Sequence, residues 1–384
     1  MNCASSANIG NDESSLVNAR IVREGRDLVK DRQPTLKDVA RAAGVSVTTV
    51  SVVLNDRRDG VRVPDATRRR VQQAAEDLGY RANILARSLR TQRSRTIGFI
   101  SDEVTTTPFA VAMLAAAQDE AARHGHLLFV VNLGADAPLA VQEEAIDLLT
   151  QQQVAHFVYG CMYHRVVDPP LGLPPEAVFL NCEASDRRHR SIVPDEERGA
   201  YEVVSELIKA GHRKIAFLDD HLHPPASGLR LAGFRKALAD NGLEYEPSLH
   251  RETTPFVRGG LVLGELIDLP AGDRPTAVFC YNDRIAMGGY RAARSRGLRV
   301  PDDLSIVGFD DQEYIASELD PPLTTIRLPH VEMGRLAIQL LLEEPSADQL
   351  PARDGSLLRV HGELVRRASV APPGKTPRPG EATR

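Results

Sequence analysis

The sequence predicts an N-terminal all-α helix-turn-helix domain followed by an α/β core of two doubly wound parallel-sheet subdomains. Residues 35–55 have the pattern of two short helices joined by a tight turn. From Thr96 onward, apolar strand-like runs alternate with amphipathic helices, as in parallel sheets covered on both faces. The alternation begins again at KIAFLDD (214–220), which favours two subdomains in tandem.

Length and composition exclude several classes of protein. The chain has 384 residues, enough for two or three domains, and is 42% hydrophobic and 26% charged. No apolar run approaches the roughly 20 residues that span a bilayer, and the N-terminus lacks the pattern of a secretory signal. We therefore expect a cytoplasmic protein with no membrane partner. The four cysteines are scattered, so we expect no metal site, and no residue pattern predicts a cofactor.

The helix pair has recognisable start and stop signals. Thr35 can cap the first helix with Asp38 in the capping-box position, Gly44 can end it in a left-handed conformation, and Ser46 can cap the second helix. Small side chains on the outer face of the second helix suit the major groove of DNA; the residues predicted to point outward are Val47, Thr48, Thr49, Ser51 and Val52. The alternative is a helical hairpin used only for packing.

The charge distribution favours nucleic acid as a partner. Residues 34–95 contain 13 Lys and Arg against 6 Asp and Glu, a net charge of +7, although the whole chain carries −5. Clustered Lys and Arg displace counterions from phosphates, which is the electrostatic requirement for binding DNA. A solvated basic surface without a partner is the alternative on charge alone.

The chain divides into five predicted segments. Residues 1–33 are expected to be a flexible arm, and residues 34–81 the helix-turn-helix domain with a third helix at 64–78. Residues 82–95 form a linker with a short, marginal helix. Residues 96–370 form the core, whose ligand position is the crevice at the carboxyl ends of the strands. Residues 371–384 are Pro-rich and expected to be disordered.

Several motifs in this order resemble the LacI/GalR family of transcription regulators over roughly residues 34–370. They are TLKDVARAAGVSVTTVSVVLN, TRRRV with LGYRAN, ILARSLRT, GLRLAGF, YNDRIAMG, VPDDLSIVGFDD and PPLTTIRLP. The resemblance implies a lambda-repressor-like DNA-binding domain and a periplasmic-binding-protein-like core. It further implies a homodimer that binds a palindromic operator, usually as a repressor, under the control of a sugar or nucleoside-like effector.

For the recognition helix, the resemblance implies base contacts by Val47, Thr48, Thr49 and Val52, since Thr forms hydrogen bonds and Val can touch a thymine methyl. Phosphate or neighbouring contacts are expected from Ser46, Ser51, Thr35, Asn55 and Arg57. Several family members carry Arg where this chain has Val52, so no operator sequence can be transferred.

The linker resembles the family's hinge helix, in which a leucine wedges between base steps in the minor groove. Leu89 is the matching residue, with Ala86 on the same face and Arg87 and Arg90 placed for phosphates. The family usually has Pro where this chain has Ala82. Packing of Leu89 on the core is the alternative.

The effector site is predicted at converging strand ends. Arg230 matches the family's ligand-contacting arginine, and Asn282 and Asp310 suit a polyol. The alternatives are a helix-end salt bridge for Arg230, a helix cap for Asn282 and a turn residue for Asp310. Further predicted contacts are Ser101, Asp102, Phe109, Asn181 and Phe256, and His164 and Arg165 either contribute or belong to a solvated loop.

We therefore predict a dimeric, ligand-controlled transcription regulator, and not an enzyme. A solute-binding receptor would fit the core but not the basic N-terminal domain. An enzyme acting in the cleft is the third class, but the sequence has no nucleophile elbow, phosphate loop or dinucleotide fingerprint.

Overall fold

The computed structural model describes residues 34–54, 63–80, 95–103, 108–134, 136–222, 224–342, 350 and 352–374. The chain forms two compact units, Met1–Thr91 and Gln92–Arg384, and each is described by itself. The predicted N-terminal arm and nearly all of the predicted linker lie outside the described residues. Among the helices in the described ranges, none combines the length and the apolar character required to cross a membrane.

The described part of the first unit contains three helices, as the sequence predicts: α1 (Leu36–Ala43), α2 (Val47–Leu54) and α3 (Asp65–Asp77). Their inward faces form one apolar cluster of valines and alanines, and Tyr80 packs against it as expected. Because the core is small and the helices are short, they depend on their end caps as well as on packing.

The second unit is built on two main sheets. Its strands are β1 (Thr96–Asp102), β2 (Leu127–Leu133), β3 (His156–Gly160), β4 (Val166–Val167), β5 (Val178–Leu180), β6 (Glu183–Ala184), β7 (Arg190–Pro194), β8 (Ile215–Asp220), β9 (His250–Thr253), β10 (Ala277–Cys280), β11 (Ser305–Val307), β12 (Thr325–Arg327), β13 (Ala352–Asp354), β14 (Leu357–Val360) and β15 (Glu363–Val365). Its helices are α4 (Pro108–Arg123), α5 (Leu139–Gln151), α6 (Glu196–Lys209), α7 (Pro224–Asp240), α8 (Leu263–Ile267), α9 (Asp283–Ser295) and α10 (His330–Leu342).

The first subdomain contains a sheet in the order β13-β14-β7-β5-β3-β1-β2, parallel except for β13. The second contains the parallel sheet β11-β10-β8-β9. Two parallel sheets in separate subdomains are the architecture that the sequence predicts. The described strands also form two small two-stranded sheets, β12-β15 and β4-β6.

The two subdomains are not simply consecutive along the chain. The chain leaves the first subdomain after β7, returns to it after β12 and leaves it again after β14. Two consecutive subdomains, the second beginning at residue 214, would place α6 in the first. In the structure α6 packs on α7 in the second subdomain. Helix α10 packs on α4 in the first. The expectation of a simple repeat is wrong at these elements, because a crossover is decided by tertiary packing and leaves no local pattern.

Both helix pairs are brought together at glycines. A Cβ on Gly233 of α7 would lie 2.1 Å from the carbonyl oxygen of Glu197 in α6. A Cβ on Gly334 of α10 would lie 2.2 Å from the carbonyl oxygen of Met113 in α4. Any larger residue would therefore separate the helices.

The chain beyond the last strand remains attached to the second subdomain. The carbonyl oxygen of Ala371 accepts a hydrogen bond from His212 (2.9 Å), and its N–H lies 3.1 Å from the Ser305 hydroxyl. Residues 371–374, predicted to belong to a disordered tail, are therefore ordered. The prediction underestimated this segment because Pro-rich composition does not reveal hydrogen bonds between its backbone and side chains from distant parts of the chain.

Candidate DNA-binding surface and effector site

The first helix of the DNA-binding unit begins with the predicted cap. The Asp38 carboxylate accepts hydrogen bonds from the Thr35 N–H (2.9 Å) and the Thr35 hydroxyl (2.6 Å). Gly44 has φ 62° and ψ 41°, so it ends α1 in the left-handed conformation. Thr35 thus has a structural role, and its predicted DNA contact remains a prediction.

The second helix begins at Ser46, as predicted. The Ser46 Oγ accepts a hydrogen bond from the Thr49 N–H (3.1 Å) and lies 2.8 Å from the Thr49 hydroxyl. These bonds satisfy an orphan donor of the helix end and restrict both side chains. The cap fixes the first turn of the helix that the sequence assigns to the major groove.

The exposed face of α2 agrees only partly with the prediction. Val47 is 41% exposed, Thr48 is exposed, and Thr49 and Ser51 are half-buried. Val52 is only 8% exposed, so its predicted outward position is wrong in this structure. Helical spacing could not separate Val52 from the inward residues, because apolar side chains occupy more than one face of this short helix.

The remaining predicted DNA contacts cannot be compared with the structure. They lie outside the described residues and stay predictions; they are Asn55, Arg57, Ala86, Arg87, Leu89 and Arg90. Within the described part of the unit, Lys37 and Arg41 on α1 and Arg69 and Arg70 on α3 are exposed. These cations are available for phosphates, which position a protein on DNA without reading its sequence.

In the second unit, one cavity lies between the two subdomains at the carboxyl ends of the strands. Its lining is Met162, Tyr163, His164, Asn181, Pro194, Glu196, Ala226, Arg230, Tyr281, Asn282, Arg284, Asp310, Leu328 and His330. Four of the predicted effector residues are therefore brought together. The cavity volume is about 30 Å³. That is far below the roughly 300–1,000 Å³ of pockets that hold small molecules.

Arg230 lies at the centre of this cavity and is 3% exposed. Its Nε lies 2.7 Å from Glu196 Oε2, its Nη2 lies 3.4 Å from Asp310 Oδ1, and its Nη1 donates to the Tyr281 carbonyl. The guanidinium also stacks over the Phe309 ring at 3.8 Å. Burial, the largest single effect, lowers the pKa of Arg230, but Glu196, Tyr281 and Asp310 together outweigh it, and the net pKa lies above the usual value. Arg230 is thus a buried cation with a partner at each of its three nitrogens.

Asn282 and Asp310 have structural partners as well. Asn282 Oδ1 accepts from the Ile285 N–H (2.8 Å), so Asn282 is the cap of α9, and its Nδ2 donates to the Pro255 carbonyl (3.2 Å). Asp310 has φ 107°, a strained conformation for a residue with a side chain. Such strain is concentrated at functional sites. Burial raises the pKa of Asp310, opposed by Arg230.

On the side of the first subdomain, Asp102 and Asn181 hold a loop instead of pointing freely into the cavity. Asp102 Oδ1 accepts from the Met162 N–H (2.6 Å) and its Oδ2 pairs with Arg165 (2.6 Å). The Asn181 amide donates to the carbonyls of Cys161 (3.0 Å) and Met162 (2.9 Å). Burial raises the pKa of Asp102, which Arg165 opposes. Both residues therefore position the segment 161–165.

Two other predicted effector residues lie outside the cavity lining. Ser101 is buried, and its hydroxyl donates to the Asp102 carbonyl (3.2 Å). Phe256 is 45% exposed, and its ring lies 5.8 and 5.7 Å from the guanidinium carbons of Arg258 and Arg284. Phe109 is the second residue of α4, and its side chain lies outside the described residues. Effector contacts by these residues stay predictions.

Sequence reasoning missed several lining residues. Glu196 lies two residues after strand β7 and is 3% exposed, so its position near a strand end could have revealed it. The sequence leaves His164 open between an effector contact and a solvated loop; at 3% exposed it is buried. His330 starts α10 immediately after the second crossing, and only the three-dimensional path shows that it reaches the cavity.

A larger groove of about 690 Å³ lies on the surface of the second subdomain, beside α6 and β15. It contains none of the predicted effector residues. Arg366 of this groove pairs with Glu206, and His361 lies 3.3 Å from Glu202. The predicted effector residues that the structure brings together therefore line the cavity between the subdomains and not this groove.

Both units of the chain match models of known protein families. A family model for bacterial regulatory proteins of the lacI family matches residues 35–83, and one for a periplasmic binding protein-like domain matches residues 204–370. The ribose operon repressor of Haemophilus influenzae is 35% identical over 310 residues, which cover 80% of this chain and 91% of that protein. The HTH-type transcriptional repressor PurR of Vibrio atlanticus is 31% identical over 347 residues, 88% of this chain and 98% of that protein.

Among solved structures, the Lac repressor dimer bound to operator and the anti-inducer ONPF is similar, with a TM-score of 0.71 and 30% sequence identity. The match covers 88% of this chain and all of that chain. The helix-turn-helix unit, the two-subdomain core and these relatives agree. This chain belongs to the LacI family of DNA-binding transcription regulators.

Proposed function

We propose that this chain represses transcription by binding a palindromic operator as a homodimer, and that a small neutral polyol in the cavity between the subdomains controls this binding. The observation that carries the proposal is the convergence of Arg230, Asn282 and Asp310 on one buried cavity in a chain that also has a capped helix-turn-helix. A repressor that reads operator DNA acts in the bacterial cytoplasm.

The DNA-reading part of the proposal depends on the start of α2. Val47 and Thr48 are the exposed side chains there, and they can offer a methyl contact and a hydroxyl to base edges. Thr49 is half-buried and already bonded to Ser46, so we assign it a supporting role. Sequence readout is then limited to few contacts, and affinity depends strongly on phosphate contacts by the basic segment.

The effector part depends on opening and closing of the core. Ligand pockets for small molecules usually have volumes of about 300–1,000 Å³, so the cavity of about 30 Å³ corresponds to a closed arrangement. The chain crosses between subdomains three times, and these crossings are where a change in their arrangement would occur. A ligand that prefers one arrangement shifts the population by no more than its difference in affinity.

The homodimer part is supported by an exposed apolar face on the first subdomain. Strand β2 is the edge of the seven-stranded sheet, and its Leu127, Phe129 and Val130 are 57%, 40% and 39% exposed. Val111 on the neighbouring helix α4 is 42% exposed. Exposed apolar edges are usually covered by a partner, so we propose that a second copy covers this one.

We further propose that the cavity binds its ligand without turnover. The relatives are transcriptional repressors. Incubation of the protein with a panel of sugars, followed by chromatography, tests this point. A product that forms in proportion to protein concentration would contradict the proposal.

The DNA-binding proposal is tested by selecting duplexes from a random pool with the full chain, then measuring affinity by fluorescence anisotropy. A palindromic site should be enriched, and Thr48→Ala should weaken that site by about five- to tenfold, while binding of random duplex changes little. Thr150→Ala replaces an exposed threonine on α5 of the other unit and serves as the matched control. Selection without enrichment, or equal losses on both duplexes, would refute the assignment of Thr48.

A further inference from the structure

The segment 161–165 joins β3 to β4. One of its side chains, His164, has a buried ring nitrogen with no hydrogen-bond partner. Asn181 and Asp102 fix its backbone at Cys161 and Met162, as described above. The Glu183 N–H also donates to the Arg165 carbonyl (2.9 Å), which closes the far end of the segment. Asp102, Asn181 and Glu183 therefore fix the backbone of the segment by hydrogen bonds. His164, within it, lines the cavity.

The two ring nitrogens of His164 have different surroundings. Nε2 lies 2.9 Å from Glu183 Oε1, whereas Nδ1 is buried and has no hydrogen-bond partner. The hydrogen bond from His164 lowers the pKa of Glu183, so this carboxylate is ionised and can only accept. Nε2 therefore carries the proton. In a neutral imidazole the other nitrogen, Nδ1, is then an acceptor.

A buried acceptor without a partner is uncommon in a folded protein. Nδ1 and Nε2 lie on roughly opposite sides of the imidazole ring, and Glu183 occupies the Nε2 side. Since His164 lines the cavity, a ligand there is the partner that the Nδ1 acceptor lacks. The atom that satisfies it must donate a hydrogen bond, as a hydroxyl does and a phosphate dianion does not.

The charges around the cavity also favour a neutral ligand. Two cationic side chains, Arg230 and Arg284, and two carboxylates, Glu196 and Asp310, belong to the lining. Both carboxylates lie next to Arg230, at 2.7 and 3.4 Å. The guanidinium is thus already neutralised, and an anion entering the cavity would meet carboxylates beside the cation it needs.

We propose that His164 is a specificity-determining residue, whose Nδ1 accepts a hydrogen bond from a hydroxyl of a neutral polyol, while the carboxylates beside Arg230 disfavour the phosphorylated form of the same sugar. This inference depends on the proposed effector function. It adds the chemical class of the ligand and names the atom that recognises it. Leaving a ligand hydroxyl unpaired in a buried site weakens binding by about 10- to 100-fold.

Two substitutions separate the nitrogens. His164→Gln places an amide near the Nε2 position, so it can keep the bond to Glu183 but loses the acceptor at Nδ1. His164→Asn places an amide near the Nδ1 position, so it keeps an acceptor there and loses the bond to Glu183. Both variants retain a polar side chain of similar size, so a difference between them reports on the Nδ1 contact and not on folding.

The test measures ligand binding to the full chain by thermal shift and titration calorimetry. The probes are D-ribose, D-glucose and D-galactose, each beside its monophosphate. We expect a neutral sugar to bind more tightly than its phosphate, His164→Gln to weaken it by about 10- to 100-fold, and His164→Asn to retain most of the affinity. Preferential binding of the phosphates, no binding of any neutral sugar, or wild-type affinity in His164→Gln would each overturn the proposal.

Affinity for the selected operator is measured on the same preparations without sugar. Because His164 lies in the unit that contains the cavity, both variants should bind operator as the wild type does. A wild-type chain that does not bind operator would refute the proposed function itself. Normal operator binding together with tighter binding of the sugar phosphates would refute only the role of His164.

Discussion

Glu196→Gln removes one of the two carboxylates that hold Arg230 inside the core. The side chains of Arg230 and Glu196 are 3% and 2% exposed, and their closest atoms are 2.7 Å apart. Removing one partner of a buried ion pair costs about 3–5 kcal/mol, because the other charge is left uncompensated. Asp310 remains 3.4 Å from Arg230, so we expect the lower end of this range, about 3 kcal/mol.

A loss of this size should lower the midpoint of thermal unfolding by about 5 °C, since the entropy of unfolding grows with the length of the unit, Gln92–Arg384. Circular dichroism of the full chain measures it. Asp240→Asn is the matched control, since it makes the same acid-to-amide change in the exposed pair Lys236–Asp240 and should change the midpoint by about 1 °C or less. The same midpoint for Glu196→Gln and wild type would refute the buried ion pair.

Glu196→Gln has a second expected consequence for ligand choice. It leaves the cavity lining with two cationic side chains and one carboxylate, Asp310. The affinity for D-ribose 5-phosphate should therefore rise relative to that for D-ribose. Calorimetry with both sugars measures this ratio, and an unchanged ratio would contradict the argument that charge balance sets the preference for a neutral ligand.

Three further predictions concern the cap of helix α2, the predicted linker helix and the dimer interface. Ser46→Ala should destabilise the DNA-binding unit by about 1 kcal/mol, measured by chemical denaturation, because the cap of α2 is lost; full stability would contradict the capping role. Leu89→Gly should weaken operator binding by at least about tenfold if Leu89 is the minor-groove wedge, and unchanged affinity in an anisotropy titration would remove that model. Phe129→Asp should convert the dimer to monomer in light scattering at micromolar concentration, since it places a charge in the exposed face of β2; a persistent dimer would exclude this face.

The local elements were predictable because their signals are local. The caps of Thr35 and Ser46 and the left-handed Gly44 follow from residue type and spacing, and the structure contains all three. The alternation of apolar runs and amphipathic helices likewise predicted parallel sheets. Val52 is the exception, because a helix with valines on several faces gives no clear direction to any one of them.

The path of the chain between subdomains could not be predicted from such signals. Helices α6 and α10 look like any other amphipathic helix, and only their packing on α7 and α4 assigns them to a subdomain. The glycines that permit this packing, Gly233 and Gly334, are visible in the sequence, but the backbone that approaches each of them is not.

For the effector site, the sequence predicted which residues line the cavity better than it predicted the direction of their hydrogen bonds. Arg230, Asn181, Asn282 and Asp310 all line the cavity because each follows a strand or belongs to a motif near one. Their hydrogen bonds, however, are directed largely into the protein. A residue's type reveals its capacity to donate or accept, while the partner that uses this capacity depends on the folded neighbours. His164, which the sequence leaves open between an effector contact and a solvated loop, has a buried ring nitrogen with no hydrogen-bond partner.

Ligand binding in the cavity and operator binding should be coupled. Calorimetry can test this by measuring the affinity of the full chain for its neutral sugar with and without a saturating amount of the selected operator duplex. Coupling is reciprocal, so operator must change sugar affinity by the same factor by which sugar changes operator affinity, about 5- to 150-fold in typical systems. Equal sugar affinities in the two titrations would contradict the account.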